Sequence, residues 1–97
     1  MSRYSYVYLL TNKNNSVIYT GVTTGLIKRI NQHKHKQTPG FSYRYNLSKL
    51  VYYEVFETVN DAIKREKQIK AGSRKDKLKL TKSTNPEFED LYYKLLW

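Results

Sequence analysis

The chain has 97 residues and no cysteine, enough for one domain with one modest core, and excluding disulfides, thiolate metal sites and a cysteine nucleophile. Its 18 Lys and Arg against 8 Asp and Glu give a formal charge of +10, a field that attracts polyanions and speeds their encounter. No basic N-terminal stretch leads into an apolar signal core and no apolar run approaches membrane-spanning length, so the sequence predicts a soluble, cytoplasmic chain that does not engage a membrane.

Residues 4 to 11, rich in Tyr, Val and Leu, predict a strand. The cluster Thr11-Asn12-Lys13-Asn14-Asn15-Ser16 predicts a turn, because Asn and Ser bond their own backbone and Asn tolerates positive φ. Val17 to Thr20 resumes the strand pattern and completes a hairpin. Gly21 then lets the backbone bend or approach something closely. Thr23 or Thr24 is placed to cap a helix from about Gly25 to Lys36, with Leu26, Ile27 and Ile30 as its buried stripe. Pro39-Gly40 breaks that pattern, Phe41 to Asn46 is an aromatic and basic loop, and Leu50 to Phe56 reads as a third strand. Thr58 or Asn60 caps a second helix with Ala62, Ile63, Glu66 and Ile69 on one face. Gly72-Ser73 ends it, and Ser73 caps a third, very basic helix to about Thr81, anchored by Leu78. Asn85-Pro86 opens a last segment, within a C-terminal extension over 83–97, where Phe88, Leu91, Tyr92, Leu95 and Leu96 recur at helical spacing and pack back on the body. The expected architecture is one α/β domain of the α+β type, β-β-α-β-α-α, a mainly antiparallel three-stranded sheet flanked by helices.

The charge is unevenly placed. No acid occurs from Met1 to Tyr53, where eight Lys and Arg stand; nine more lie between Lys64 and Lys82, against Glu66 and Asp76 alone. A basic chain with this aromatic content points to nucleic acid, the competing reading being the solvated surface of any high-pI protein. Tyr8 and Tyr19 come from neighbouring strands and meet if the register puts them on one face; each is otherwise an ordinary half-buried packing residue. Arg29 and His33, at i and i+4, flank the apolar stripe of the first helix instead of facing away from it. Glu66 falls between Ile63 and Ile69 on an inward face. A carboxylate there must be paired, hydrogen-bonded or bound to a cation, because isolated burial costs several kcal/mol. A salt bridge to Arg29 and a divalent metal ion both satisfy it. Phe41, Tyr43, Arg44 and Tyr45 interleave rings with charge, suited to stacking on bases or to packing beneath the second helix.

The ordered set resembles the GIY-YIG nuclease superfamily, specifically its small stand-alone bacterial members. Tyr6-Val7-Tyr8 and Tyr19-Thr20-Gly21 stand where the two tripeptides belong. Arg29 and His33 follow at the family spacing, and Ala62 to Lys70 looks like the helix carrying the metal-binding glutamate. The segments Gly40 to Asn46, Lys49 to Tyr53 and Asn85-Pro86 also resemble the stand-alone subgroup, so the similarity covers nearly the whole chain. Two departures stand out: Tyr6 replaces the glycine of the first tripeptide, and Val22 and Thr23 stand where some members have a lysine.

The resemblance implies a metal-dependent endonuclease acting on DNA, in repair or recombination. One Mg²⁺ or Mn²⁺ on Glu66 contacts the scissile phosphate and stabilises the leaving oxygen. Tyr19 serves as general base toward water, Tyr8 and His33 orient or relay the proton, and Arg29 neutralises phosphate charge. A free phenol has a pKa of about 10, so a tyrosine base needs positive charge beside it. Gly21, Lys28, Phe41, Tyr43, Arg44, Tyr45, Lys70 and Arg74 are expected to contact nucleic acid, DNA in preference to RNA, with Asn85 a further candidate. The chain has no room for a separate recognition domain, so a monomer of this kind draws specificity from itself or from a protein partner. The rival readings are a non-catalytic nucleic-acid-binding module of the same fold and a basic adaptor for an acidic protein.

Overall fold

Side chains of the Asn-rich turn close the first hairpin. Asn12 Oδ1 accepts from the backbone N–H of Ser16 at 2.8 Å and of Val17 at 3.1 Å, and Asn15 takes a positive φ of 61°, a conformation Asn tolerates better than other side-chain-bearing residues. The chain therefore reverses between β1 (Ser5–Thr11) and β2 (Ile18–Thr23). The computed structural model describes residues 4–36, 40 and 44–96. After the hairpin come α1 (Leu26–Lys34), β3 (Lys49–Phe56), α2 (Val59–Ala71), α3 (Arg74–Thr84) and a short α4 (Tyr92–Leu95). The strands form one antiparallel sheet in the order β2-β1-β3, the expected α+β arrangement.

A bulge decides which residues of β3 face which way. Leu9 stands opposite Tyr52 but Leu10 stands opposite Leu50, so Val51 is an extra residue in the ladder. Leu50 therefore joins Tyr8, Leu10, Leu26, Ile30, Leu47 and Tyr92 on one face, which α1 and α4 cover. Val51 and Tyr52 join Val7, Leu9, Ala62 and Ile69 on the other, covered by α2, with Leu80 of α3 and Phe88 packed against them. Each fully buried aliphatic side chain contributes about 1.5–3 kcal/mol. On the α2 face Glu54 accepts two bonds from Arg65, at 2.9 and 3.0 Å, and one from Tyr52 Oη at 2.6 Å. Burial draws the Glu54 carboxyl upward, but the Arg65 and Tyr52 hydrogen bonds outweigh it and hold it below the usual carboxylate range. Burial, with the Glu54 carboxylate, pushes the Tyr52 phenol up to about 12.

Caps agree with the sequence where the signal is local. The Thr58 hydroxyl accepts from Asp61 N–H at 3.2 Å, and Ser73 and Asp76 form a reciprocal capping box, each cap contributing on the order of 1 kcal/mol. The first helix departs from expectation. Gly25 holds its N-cap position without a side-chain cap, and Thr23 Oγ1 accepts from Gly25 N–H at 3.1 Å, short of the helix proper. The helix ends at Lys34, and Lys36 has a left-handed φ of 53°. Ile27 and Ile63, placed in the buried stripes by periodicity, are 44% and 36% exposed, because each helix lays only a narrow side on the sheet. In α3 the inward residues are Leu80 and the buried Thr81, not Leu78, and that helix runs on to Thr84. Leu96 is exposed. Among the described residues no helix is long and apolar enough to cross a membrane.

Asn85 ties these layers together. Its Nδ2 donates to Val51 O at 3.0 Å and to Glu89 O at 2.9 Å, and its Oδ1 accepts from Glu89 N–H at 3.0 Å. The bulge residue of β3 is thereby bound to the chain leaving α3. This buried amide is engaged by the backbone, which gives Asn85 a structural task. Asn85→Ala leaves the buried Val51 carbonyl without that donor and is expected to cost about 2–3 kcal/mol, read as a lower urea midpoint.

Candidate active site

The hairpin register sets Tyr8 directly opposite Gly21, and Leu10 opposite Tyr19. All four positions belong to the face that α1 covers. The Tyr8 ring occupies the space above Gly21: a Cβ built there would lie 2.4 Å from Tyr8 Cζ and 2.5 Å from its Oη. Gly21 is buried, and its lack of a side chain admits the phenol. β2 continues through it to Thr23, three residues past the predicted end. On the opposite face of that strand, Thr20 Oγ1 is buried with no hydrogen-bond partner among the described residues.

Held in this way, Tyr8 meets two other rings. Its centroid lies 6.3 Å from that of Tyr19 and 6.1 Å from that of His33, and Tyr19 and His33 are 6.1 Å apart. Tyr8 Oη stands 3.4 Å from His33 Nε2. The last turn of α1 delivers His33, which is buried with Leu26 and Ile30. Burial pushes the Tyr8 phenol well above the usual tyrosine range; the Tyr19 and Glu66 charges push the same way and Arg29 opposes them. Tyr8 therefore stays protonated. Burial, reinforced by the Arg29 guanidinium, holds His33 below its usual value, so at neutral pH it is an uncharged imidazole able to accept a proton. Arg29 and Glu66 thus both act on the Tyr8 hydroxyl, in opposite senses.

Glu66 comes from α2, whose apolar side packs on the far face of the sheet. Its side chain is 12% exposed and pairs at 3.2 Å with Lys70 of its own helix, not with Arg29 as the salt-bridge reading required. Lys70 is 62% exposed, and such a surface pair contributes only a few tenths of a kcal/mol. A cation approaching Glu66 therefore has little to displace. Among the described residues no group of three His, Cys, Asp or Glu side chains converges, which does not suit a fully protein-ligated zinc or calcium cage. A single, largely enclosed carboxylate whose ion pair is to an exposed lysine does suit Mg²⁺ or Mn²⁺, which takes one or two carboxylates and fills its shell with water and substrate oxygens.

The other expected contacts are scattered. Lys28 is exposed on α1 beside Arg29. Arg44 lies 5.7 Å from the centroid of the exposed Tyr45 ring, the interleaving of charge and aromatic that the loop promised; Phe41 and Tyr43 fall outside the described residues. Arg74 donates to the backbone carbonyls of Ser16 and Asn15, fastening α3 to the hairpin turn. Its guanidinium is engaged within the fold.

Sequence reading did not anticipate what holds α1 in place. Lys34 pairs with Asp90, donates to Ser48 O at 2.8 Å and lies 5.1 and 5.0 Å from the Tyr92 and Tyr93 ring centroids. Asn31 donates to Tyr92 Oη at 3.1 Å. Asp90 also accepts from the Leu50 and Tyr92 N–H groups through Oδ1, both at 3.1 Å. The helix bearing Arg29 and His33 is thereby tied to β3 and α4. The helical spacing of Tyr92 was the available signal; its partner 61 residues earlier was not.

Residues 4–79 match the model of the GIY-YIG catalytic domain. The chain belongs to the GIY-YIG family. Among its GIY-YIG relatives, a UPF0213 protein of Staphylococcus saprophyticus is 40% identical over 75 residues, covering 77% of this chain and 90% of that one. A UPF0213 protein of Clostridium perfringens is 38% identical over 86 residues, covering 89% and 91%. The solution NMR structure of a UPF0213 protein from Bacillus halodurans aligns with a TM-score of 0.56 at 29% identity, covering 90% of this chain and 92% of that one. A GIY-YIG domain implies a nuclease-type fold.

Two outcomes test this geometry. Gly21→Ala forces the Tyr8 ring off its strand neighbour and is expected to cost about 1–3 kcal/mol by overpacking, with the His33 ring resonances displaced in NMR spectra. The depressed His33 pKa makes the unfolded chain take up a proton that the folded chain refuses. Stability from this source is present above about pH 6.5 and falls as the pH drops through the lower folded value. Urea denaturation of wild type against His33→Gln is expected to show that loss in the wild type only.

Proposed function

We propose that this protein is a divalent-metal-dependent endonuclease hydrolysing phosphodiester bonds in DNA. The observation that carries the reading is the triangle of Tyr8, Tyr19 and His33, with the Arg29 and Glu66 charges both acting on its central hydroxyl. Tyr19, less enclosed than Tyr8, is the general base toward the attacking water. Tyr8 stays protonated and directs a hydrogen bond, and neutral His33 accepts and passes on the proton. Arg29 compensates negative charge accumulating on the phosphate oxygens. Glu66 would hold Mg²⁺ or Mn²⁺, which when bound supplies Lewis-acid stabilisation of the phosphate and its leaving oxygen.

The basic surface of α2 and α3, with Arg44 and Tyr45, supports nucleic acid as partner, and DNA before RNA on the family precedent. We take the active form to be a cytoplasmic monomer, with a protein partner supplying target specificity where the domain itself does not.

The test is cleavage of labelled duplex, flap, junction and single-stranded DNA, with and without Mg²⁺ or Mn²⁺. Tyr19→Phe, Arg29→Ala and Glu66→Ala are each expected to lose on the order of 10²-fold or more in rate while keeping the wild-type thermal transition. Wild-type activity in all three sinks the mechanism. Tight, salt-dependent DNA binding with no cleavage under either metal would reassign the chain to a binding module of the same fold.

A further inference from the structure

Two cavities meet at the start of α1, and their chemistry differs. One, of about 260 Å³, has an apolar wall made by Tyr6, Leu26, Ile27 and Leu95. The other, of about 230 Å³, is polar and is bordered by Thr23, Lys28, Arg29 and Gln32. They share Thr24, Gly25 and Lys28, so whatever fills one abuts the other. Among the described residues neither Lys28 nor Arg29 forms an ion pair with a carboxylate, leaving two adjacent cations at the polar cavity. Ile27, which periodicity placed in the core, is 44% exposed at the apolar one. Arg29 also belongs to the catalytic group, so the pair of cavities continues from that site.

We propose that these cavities seat one unpaired nucleotide beside the bond to be cut. A nucleotide has the matching two-part character: a flat, largely apolar base joined through a sugar to an anionic phosphate. The base enters between Tyr6, Ile27 and Leu95, where an aromatic ring and aliphatic side chains accept a π-face without regard to sequence. Its phosphate meets Lys28, Arg29 and Gln32. A base paired within a duplex is stacked on both sides and cannot enter, so entry requires a single strand, a flap or an extruded base. Two parts of the apolar wall lie outside the common motif. Tyr6 stands where the family's first tripeptide has glycine, and Leu95 lies beyond the residues that match the family model.

This inference rests on the nuclease reading for its meaning, but its test does not require cleavage. The probes are an octathymidylate, the same strand with abasic sugars throughout, and an eight-base-pair duplex, followed by ¹H–¹⁵N shifts of the full chain and by anisotropy. The octathymidylate is expected to shift the signals of Tyr6, Ile27 and Leu95 as well as those of Lys28, Arg29 and Gln32. The abasic strand is expected to shift only those of Lys28, Arg29 and Gln32. Ile27→Asn, at an exposed position that leaves folding intact, is expected to weaken octathymidylate binding about fivefold and to leave duplex binding unchanged. Tyr6→Leu, which keeps apolar volume but removes the ring, is expected to do the same.

Identical shift patterns for the two strands, or equal affinity loss for duplex and single strand in Ile27→Asn, overturn the proposal. So do shifts at Tyr6 and Ile27 that appear on raising protein concentration alone, since the apolar cavity then belongs to a second copy. Base-dependent shifts without metal-dependent cleavage would keep the nucleotide site and remove the nuclease reading.

Discussion

The arrangement depends on one absent side chain. Gly21 stands opposite Tyr8 in the hairpin, and the Tyr8 ring fills the volume that any Cβ at residue 21 would need. That close approach settles where the Tyr8 hydroxyl lies, and so where His33 and Tyr19 can meet it. A ladder of strands provides the accuracy: neighbouring strands lie about 4.8 Å apart, and side chains on one face repeat at fixed intervals. Two phenols from successive strands and an imidazole from the following helix are thereby gathered without any long loop. Enclosure then does chemical work, since the same burial that packs Tyr8 keeps it protonated and keeps His33 neutral. The two groups, 3.4 Å apart, therefore both remain uncharged across the neutral range.

The helix that carries Arg29 and His33 is short, at nine residues, and begins at a glycine with no side-chain cap. An isolated helix of this length is unstable in water. Its position is decided by Leu26 and Ile30 against the sheet and by Asn31 and Lys34 reaching toward Tyr92 and Asp90. Capping residues at its start would have stabilised it locally. Their absence leaves Thr24, Gly25 and Lys28 to border the two cavities there, with stability drawn from tertiary contacts instead.

How far the sequence could be read follows the range of each interaction. Thr58 and Ser73 were legible as caps because donor and acceptor lie three residues apart. The hairpin was legible from Asn and Ser between two β-rich runs. Tyr8, Tyr19, Arg29, His33 and Glu66 stood out as an ordered set because their order and spacing resemble those of the family. Ile27 and Ile63 were misplaced because a helical wheel gives a period, not the width of the face that a neighbour covers. The bulge at Val51 has no local signal: it shows only once β3 is laid against β1. The same holds for Asn85, Asp90 and Tyr92, whose partners lie 34 to 61 residues away.

That last group bears on what constitutes the folding unit. The match to the catalytic-domain model ends at residue 79, yet Leu80 and Thr81, the Asn85 amide, Phe88, Asp90 and Tyr92 all pack into the sheet or hold what rests on it. The edge of that match and the edge of the packed unit therefore do not coincide in this molecule. A fragment cut at the former would retain Tyr8, Tyr19, Arg29, His33 and Glu66 while losing the brace that aims Arg29 and His33.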